Sequence, residues 1–506
     1  MTHTTETQNP LRQLFWIIVL ISALFFTAVF ISEFYPSLDW PLTSDNALLS
    51  YPSWMIHTGK IPYKEIFDFN LPGSYLVHIF LIKLFGQKLA MGYRLAELLV
   101  LLGIFSTPLL TLKLAAWKKI LLVGISLIFS NRILIQGPNM AFQRDTWIAL
   151  GMGVYLAKVY LDLNQKAILI RGRDYTQIFD FLTNFLLGFL ATVKPSTVLL
   201  GIILILVQKS ARRKIISAIG LGLPLLLVVV WLGAVGGLED FLEIFFKYTL
   251  PLYPNINTYT PFYHTRPEFM LNIPLILGGL GSLAAFFYHK ETKTGLILLS
   301  GVLFGIFHIY LQQKGHIYHF FPLLAAFVIA QIYGIVLADH KNHKSLMIFI
   351  ISVLIMEIAL QTFMILPQYN KDFHKNSETQ NAIRYSAVLT STTSEDDTIM
   401  IFDVGHGLST AMYWQKRPLC GRFLYDLVFF HDQDDPYMRT IHNELLEKVA
   451  SQQCSVIIVS DRGFGNFPQV DSPQRIGLID GLDELLEKYY QLVESEMGRV
   501  YVLKEK

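Results

Sequence analysis

Charged residues and cysteines are both scarce in this sequence of 506 residues. Asp, Glu, Lys and Arg make up 16% of the chain, against roughly 25% in an ordinary soluble domain. The 41 Lys and Arg nearly balance the 39 Asp and Glu, so the broad basic surface of a nucleic-acid-binding protein is excluded. Two cysteines are too few for a disulfide-rich scaffold or a Cys-rich metal cluster. Phosphate-loop, zinc-protease and dinucleotide-binding motifs are also absent.

Apolar residues make up 53% of the chain, and they gather into runs long enough to cross a membrane. A hydrocarbon core about 30 Å thick requires roughly 20 helical residues. We predict eleven crossings, at 14–31, 91–112, 119–136, 145–161, 177–193, 196–208, 213–235, 270–288, 294–311, 320–338 and 345–366. The pair 177–193 and 196–208 is short enough to be a single broken hairpin. The sequence thus predicts an α-helical polytopic membrane protein.

Basic residues test this count, because Lys and Arg collect in cytoplasmic loops. They fall in alternate loops, at Lys113, Lys118, Lys119, Lys166, Arg171, Arg173, Lys209, Arg212, Arg213, Lys214, Lys290, Lys293, Lys341 and Lys344. The opposite, external side then carries loops 33–90 and 236–269 and the chain after residue 366. The run 73–85 is too short to cross and is predicted to be an interfacial helix. The aromatic residues of 239–268 predict either an interfacial belt or a lid.

From residue 367 the composition becomes that of a small soluble domain. Short β-like runs at 398–403, 454–460 and 499–503 alternate with helix-like stretches at 436–452 and 476–491. This pattern predicts an α/β domain over 367–506, following a membrane domain over 1–366. Cys420 and Cys454 both lie in this region, either as a disulfide or with Cys454 as a buried free thiol.

The first external loop carries the most informative polar pattern. Asp45 is followed by Gly59-Lys60-Ile61-Pro62-Tyr63-Lys64-Glu65, by Asn70-Leu71-Pro72-Gly73, and by Phe85-Gly86 and Arg94. This ordered set resembles that of the multispanning GT-C glycosyltransferases, which include protein O-mannosyltransferases and lipid A aminoarabinose transferases. The resemblance extends to Phe142-Gln143-Arg144-Asp145 and to the segments 188–195 and 314–322. It covers most of residues 1–366.

The resemblance implies that a sugar is transferred from a polyprenyl-phosphate carrier to an acceptor hydroxyl on the extracytoplasmic face, with inversion. Transfer requires a general base, and the resemblance assigns that role to Asp45. The alternative is that Ser44 or Asp45 caps the following helix. Asp145 is the second predicted catalytic residue, orienting the acceptor or the carrier phosphate. Its alternative role is a local ion pair or helix start with Arg144.

A leaving phosphate at the membrane surface requires cations and hydrogen-bond donors. Lys194, Lys314, His316 and His319 lie at external ends of crossings and suit this role. Together with three further external residues they form the predicted substrate-binding set: Tyr63, Arg144, Lys194, Lys314, His316, Tyr318 and His319. The alternative for each lysine is that its side chain only extends from the helix end so that the ammonium reaches the membrane–water interface, without a role in the reaction.

Asn46 stands where many relatives have a second acidic residue, so we predict no resident metal or cofactor. Asp45 and Asp145 remain possible oxygen ligands of a shared divalent cation. The predicted partners are a polyprenyl-phosphate sugar, a lipid, polysaccharide or protein acceptor, and membrane lipids, with no nucleic acid. The predicted location is the bacterial inner membrane, with the C-terminal domain extracytoplasmic.

The main alternative function is a transporter or flippase of lipid-linked glycans. Transporters place ionisable residues near the midplane and contain internal repeats. Here the candidates lie at one surface and no repeat is evident, which favours an enzyme. A polysaccharide polymerase or ligase would require paired arginines in a long late loop, and loop 236–269 has only Arg266.

Overall fold

The computed structural model describes residues 10–164, 166–170, 173–255, 271–312, 314, 316–368, 375, 377–402, 407–430, 434–460, 476–495 and 498–504. Arg171, Arg266 and most of the second external loop's late aromatic residues lie outside these ranges. The chain divides into two units. Unit 1 contains the described residues of Met1–Asp39, Tyr93–Leu225 and Tyr259–Lys371. Unit 2 contains those of Trp40–Gly92, Leu226–Thr258 and Asp372–Lys506.

Helices dominate the described chain. In chain order they are α1 (Pro10–Ser37), α2 (Ser44–His57), α3 (Pro72–Phe85), α4 (Leu89–Leu110), α5 (Ala116–Leu134), α6 (Arg144–Leu163), α7 (Thr176–Ala191), α8 (Thr197–Val207), α9 (Ala211–Val235), α10 (Leu238–Ile244), α11 (Ile273–Tyr288), α12 (Thr292–Gln312), α13 (Phe321–Lys341), α14 (Lys344–Leu360), α15 (Ser377–Thr392), α16 (Leu408–Gln415), α17 (Pro436–Ala450) and α18 (Leu482–Tyr489). Each predicted crossing lies on one of them. The predicted pair 177–193 and 196–208 forms two helices, α7 and α8, separated by a turn at Lys194-Pro195.

Six stretches of the described chain are long and apolar enough to cross a membrane, which supports an integral membrane protein. They are Pro10–Ser37, Pro72–Leu110, Ala211–Val235, Thr292–Gln312, Ile317–Lys341 and Lys344–Ile365. The total of eleven crossings stays a prediction. The run predicted to be interfacial forms α3, which begins at Pro72 because proline suits the first helical position.

The central helix of unit 1 is α13, which packs against α6, α11, α12 and α14. It is buried along nearly its whole length because it is apolar all round. Its neighbour α12 approaches closely at Gly305, where an added Cβ would lie 2.6 Å from the Leu323 Cα. This contact brings the end of α12, which carries His308, close to the start of α13, which follows the turn that carries His319.

Unit 2 contains a four-stranded sheet. Its strands are β3 (Ile399–Phe402), β4 (Val456–Ser460), β5 (Tyr490–Ser495) and β6 (Gly498–Leu503). The first two strands of the chain, β1 (Leu169–Ile170) and β2 (Arg173–Asp174), form a separate hairpin in unit 1. The order is β3-β4-β6-β5, with β3 and β4 parallel and the other pairs antiparallel. A separate domain over 367–506 stays a prediction, since unit 2 also includes segments before and between the membrane helices.

Two sequence predictions in this region are wrong. The predicted helix 476–491 ends earlier, at Tyr489, because Tyr490–Ser495 pairs with β6 along its full length. The free-thiol alternative for Cys454 is also wrong, since Cys420 and Cys454 form a disulfide with a Cα–Cα distance of 5.3 Å.

Candidate active site

Asp145 is the centre of a buried polar group in unit 1. Both of its carboxylate oxygens accept hydrogen bonds from Lys194 Nζ, at 3.0 and 2.8 Å. His308 Nε2 lies 2.7 Å from Asp145 Oδ1, and His319 Nδ1 lies 3.2 Å from the same oxygen. Ser196 Oγ lies 2.9 Å from His308 Nδ1. We call these five residues, Asp145, Lys194, Ser196, His308 and His319, the Asp145 cluster.

The cluster is assembled from four places in the chain. Asp145 lies in the first turn of α6, where the helix dipole favours a carboxylate. Lys194 and Ser196 lie in the turn between α7 and α8, His308 lies near the end of α12, and His319 lies in the single turn Ile317–Phe320 before α13. The ends of these apolar helices therefore bring the polar side chains into one group.

The burial of two charged side chains, Asp145 and Lys194, is possible because they pair with each other. A buried carboxylate or ammonium is costly unless it is paired and hydrogen-bonded. Asp145 and Lys194 form an ion pair at 2.8 Å with both side chains nearly inaccessible. The alternative in which Lys194 merely extends to the interface is therefore wrong, and the ion pair of Asp145 is with Lys194.

Three more of the predicted binding residues, Lys314, His316 and Tyr318, precede His319 in the chain. The Tyr318 ring stacks on His316, with centroids 5.2 Å apart, and meets the His319 ring edge-on at 4.5 Å. Lys194 Nζ lies 5.8 Å from the Tyr318 centroid. Lys314 precedes this group, and burial lowers the pKa of its ammonium to about 8. The structure thus groups aromatic rings and cations beside the buried carboxylate.

The segment that leads into Asp145 is held by a buried ion pair. Phe142 has a φ of 52°, a left-handed conformation that is strained for a bulky residue. Its backbone N–H donates to Glu97 Oε1 at 2.9 Å. Arg94 forms an ion pair with Glu97 and also donates to Ser37 Oγ at 3.1 Å. These contacts fix the turn from which Arg144, half-buried, begins α6.

Asp45 and Tyr63 lie in unit 2. Asp45 is the second residue of α2, whose N-cap is Thr43 with no side-chain capping bond. The alternative in which Ser44 or Asp45 caps this helix is therefore wrong. Asp45 Oδ2 is buried and has no hydrogen-bond partner among the described residues. Buried polar atoms are normally paired, so such an atom requires an explanation.

Tyr63 lies in a loop of unit 2 with a φ of 65°. Its hydroxyl donates to the Asn70 carbonyl at 2.7 Å, and its ring packs against Phe241 at 4.9 Å. The neighbouring Asp68 accepts hydrogen bonds from Tyr75 and Tyr425 at 2.5 and 3.1 Å. Burial raises the pKa of Asp68, and these hydrogen bonds oppose that shift. Tyr63 thus shapes this loop, and its contact with substrate stays a prediction.

Asp145, His308 and His319 each offer one metal-ligand atom, and these atoms lie within 4.8 Å of one another. Asp145 and His308 are engaged with Lys194, Ser196 and each other, whereas His319 Nε2 has no hydrogen-bond partner among the described residues. The carboxylate faces an ammonium, and the His308 Nε2 that approaches it must carry a proton, because an ionised carboxylate only accepts. A divalent cation bound by these three residues would have to displace Lys194 from Asp145.

Comparison with known proteins gives matches in structure alone. No family model matches the chain, and no curated protein sequence matches it. ArnT from Cupriavidus metallidurans in the apo state has a TM-score of 0.55 at 13% identity, covering 95% of this chain and 97% of that one. The Archaeoglobus fulgidus oligosaccharyltransferase in the apo form has a TM-score of 0.54 at 12% identity, covering 97% and 74%.

The chain shares its fold with these two proteins, an ArnT and an oligosaccharyltransferase, as the resemblance predicts, and both alignments extend over nearly the whole of this chain. At these identities the likeness is one of fold.

Sequence reasoning missed His308 and Ser196. His308 lies inside the predicted crossing 294–311, which is an apolar run by average hydropathy. A titratable residue within such a run is rare and is commonly functional. That signal would have drawn attention to His308, whereas Ser196 carries no such signal.

Proposed function

We propose that this chain is an integral membrane glycosyltransferase that moves a sugar from a polyprenyl-phosphate donor to an acceptor hydroxyl. The Asp145 cluster carries the proposal, because a buried carboxylate there gathers an ammonium and two imidazoles within a GT-C fold. Related structures support the donor class. One is ArnT bound to undecaprenyl phosphate, and another is archaeal AglB in complex with an inhibitory peptide and a dolichol-phosphate.

In the proposed reaction Asp45 is the general base. Its buried, unpartnered oxygen accepts the proton of the acceptor hydroxyl as that oxygen attacks the anomeric carbon. The bond from the anomeric carbon to the phosphate oxygen breaks, and the polyprenyl phosphate leaves with the electron pair. A single displacement of this kind inverts the anomeric configuration.

The second requirement is stabilisation of the leaving phosphate. Cations and hydrogen-bond donors placed where charge develops lower the barrier most effectively in a site from which water is excluded. We assign this role to the predicted binding residues of unit 1: Arg144, Lys194, Lys314, His316, Tyr318 and His319. Asp145 orients Lys194 and His319 through its hydrogen bonds.

The proposed setting is a bacterial inner membrane with the site and the C-terminal region extracytoplasmic. The Cys420–Cys454 disulfide supports this orientation, because disulfides persist in oxidising compartments outside the cytoplasm. The acceptor is a lipid, a polysaccharide or a protein. The reaction as proposed requires no cofactor.

The test uses the purified full chain in proteoliposomes, with a panel of radiolabelled polyprenyl-phosphate sugars and extracted membrane acceptors. We expect label to move from one donor to an acceptor. Movement of an intact labelled donor across the bilayer, without transfer from any donor, would overturn the proposal and establish the transporter alternative instead.

A further inference from the structure

We infer that His308, oriented by Ser196, is a positioning residue for Asp145 and Lys194. The inference rests on the proposed function of the Asp145 cluster. It adds to that function two residues that neither the sequence motifs nor the proposed reaction uses directly.

The hydrogen-bond chemistry fixes the state of the His308 ring. Asp145 Oδ1, 2.7 Å from Nε2, belongs to a carboxylate paired with an ammonium, so it accepts and Nε2 donates. In a neutral imidazole the other nitrogen, Nδ1, is then an acceptor. It lies 2.9 Å from the Ser196 hydroxyl, which can donate to it. Asp145 therefore selects the tautomer with the proton on Nε2, and the Ser196 hydroxyl completes this arrangement by donating to Nδ1.

This ring connects both members of the ion pair. A carboxylate turns easily about its last side-chain bond, and the donors on Oδ1 stop that rotation for Asp145. Ser196 follows Lys194 by two residues in the same turn and is the N-cap residue of α8. The Ser196–His308 bond thus holds the turn that carries Lys194, while the His308–Asp145 bond holds its partner.

Packing alone does not explain a histidine at this position. His308 is completely buried in α12, a largely apolar helix, and its ring lies near Phe304 at 6.1 Å. An apolar side chain would fill the same space without the cost of burying two polar nitrogens. The cost is met because both nitrogens are satisfied, as a buried polar network requires.

Two substitutions of His308 distinguish a positioning role in the reaction from a purely structural role in the fold. In His308→Gln the side-chain amide nitrogen replaces Nε2 and can still donate to Asp145. In His308→Asn the shorter amide replaces Nδ1, reaches Ser196 and leaves Asp145 one donor short. We expect His308→Asn to lower kcat about 10- to 100-fold, the effect of one hydrogen bond to a charged group. His308→Gln should retain most of the wild-type kcat, because its amide still donates to Asp145.

Matched variants of His340 provide the control. His340 is an exposed residue of α13 outside the cluster, so His340→Asn and His340→Gln should leave kcat unchanged. Ser196→Ala should lower kcat less than His308→Asn, and Ser196→Thr should keep the hydroxyl and most of the activity. Equal losses in His308→Gln and His308→Asn, following a shared loss of thermal stability, would overturn the inference.

Failure of the proposed function is distinguishable from failure of this inference. If the wild type transfers sugar and the two His308 variants do not differ, the function stands and the inference fails. If the wild type transfers from no donor, binding of undecaprenyl phosphate decides the inference. Weaker binding by His308→Asn than by His308→Gln would support the positioning role, and equal binding would contradict it.

Discussion

Two aspartates, one in each unit, differ in how fully their carboxylate oxygens are hydrogen-bonded. Asp145 in unit 1 accepts hydrogen bonds from Lys194 on both oxygens and from two histidines on one of them. Asp45 in unit 2 has a buried oxygen without a partner in the described part of the chain. A carboxylate whose lone pairs are used is a poor proton acceptor. This difference is why we propose Asp45 as the proton acceptor and Asp145 as the residue that orients the cations.

The contrast is not a general property of unit 2. Asp68, in the same unit, is fully buried and accepts hydrogen bonds from Asn70, Tyr75 and Tyr425. This buried acid of unit 2 is therefore hydrogen-bonded where it stabilises a loop. The unsatisfied oxygen of Asp45 is a local feature, as expected where a substrate group completes the hydrogen bonding.

Asp45→Asn should have the largest effect on transfer. The amide keeps the size of the side chain but cannot accept a proton, so kcat should fall by about 10²- to 10⁴-fold. Undecaprenyl phosphate binding and the melting temperature should not change. Asp39→Asn, an exposed carboxylate six residues earlier, is the matched control. An Asp45→Asn protein with full activity would contradict the role of Asp45.

Asp145→Asn should lower transfer by about 100-fold, because the donors that stabilise the leaving phosphate lose their orientation. Unlike Asp45→Asn, it should also destabilise the protein by about 3 kcal/mol, since the buried Lys194 ammonium loses its counter-charge. Adding Lys194→Met should recover stability, measured by thermal unfolding, without recovering transfer. Recovery of both stability and transfer would show that the Asp145 cluster takes no part in the reaction.

Lys314 should give a smaller, pH-dependent effect. Its pKa, lowered by burial to about 8, means that the ammonium is charged below that pH and neutral above it. The donor KM should therefore increase as the pH rises through about 8. Lys314→Arg keeps its charge throughout this range, so the increase should disappear. The same increase in Lys314→Arg would show that another group is responsible.

Reduction of the Cys420–Cys454 disulfide should change transfer least, by less than about 2-fold below the melting temperature. It should lower the stability of unit 2 by about 2 to 4 kcal/mol, because a cross-link between residues 34 apart restricts the unfolded chain. The measurement is thermal unfolding with and without dithiothreitol. The double variant Cys420→Ser, Cys454→Ser should not respond to the reductant, and a wild type equally unresponsive would contradict this account.

Much of the fold was predictable because apolar runs determine where helices form in a membrane protein. Each predicted crossing, from 14–31 to 345–366, lies on a helix of the structure. The strand β5 was not predictable in the same way, since Tyr490–Ser495 continues directly from a helix and is extended only through pairing with β6. Pairing between distant segments leaves little signal in local sequence.

The site was predicted less completely than the fold. Motif resemblance pointed to Asp145, Lys194 and His319, and the structure brings these three together. It did not indicate that Lys194 would neutralise Asp145, because that contact depends on how the ends of α6 and α7 meet. His308 was hidden within an apolar run, where hydrophobicity averaged over many residues obscures a single polar side chain.

The most direct test of the central claim is the anomeric configuration of the transferred sugar. The wild-type protein would be given a polyprenyl-phosphate sugar of known anomer, and the product of a single turnover would be assigned by NMR. Our account, with Asp45 as base in a single displacement, predicts the inverted anomer. A product that retains the donor's configuration would contradict it, because retention requires two displacements and a nucleophile rather than a base.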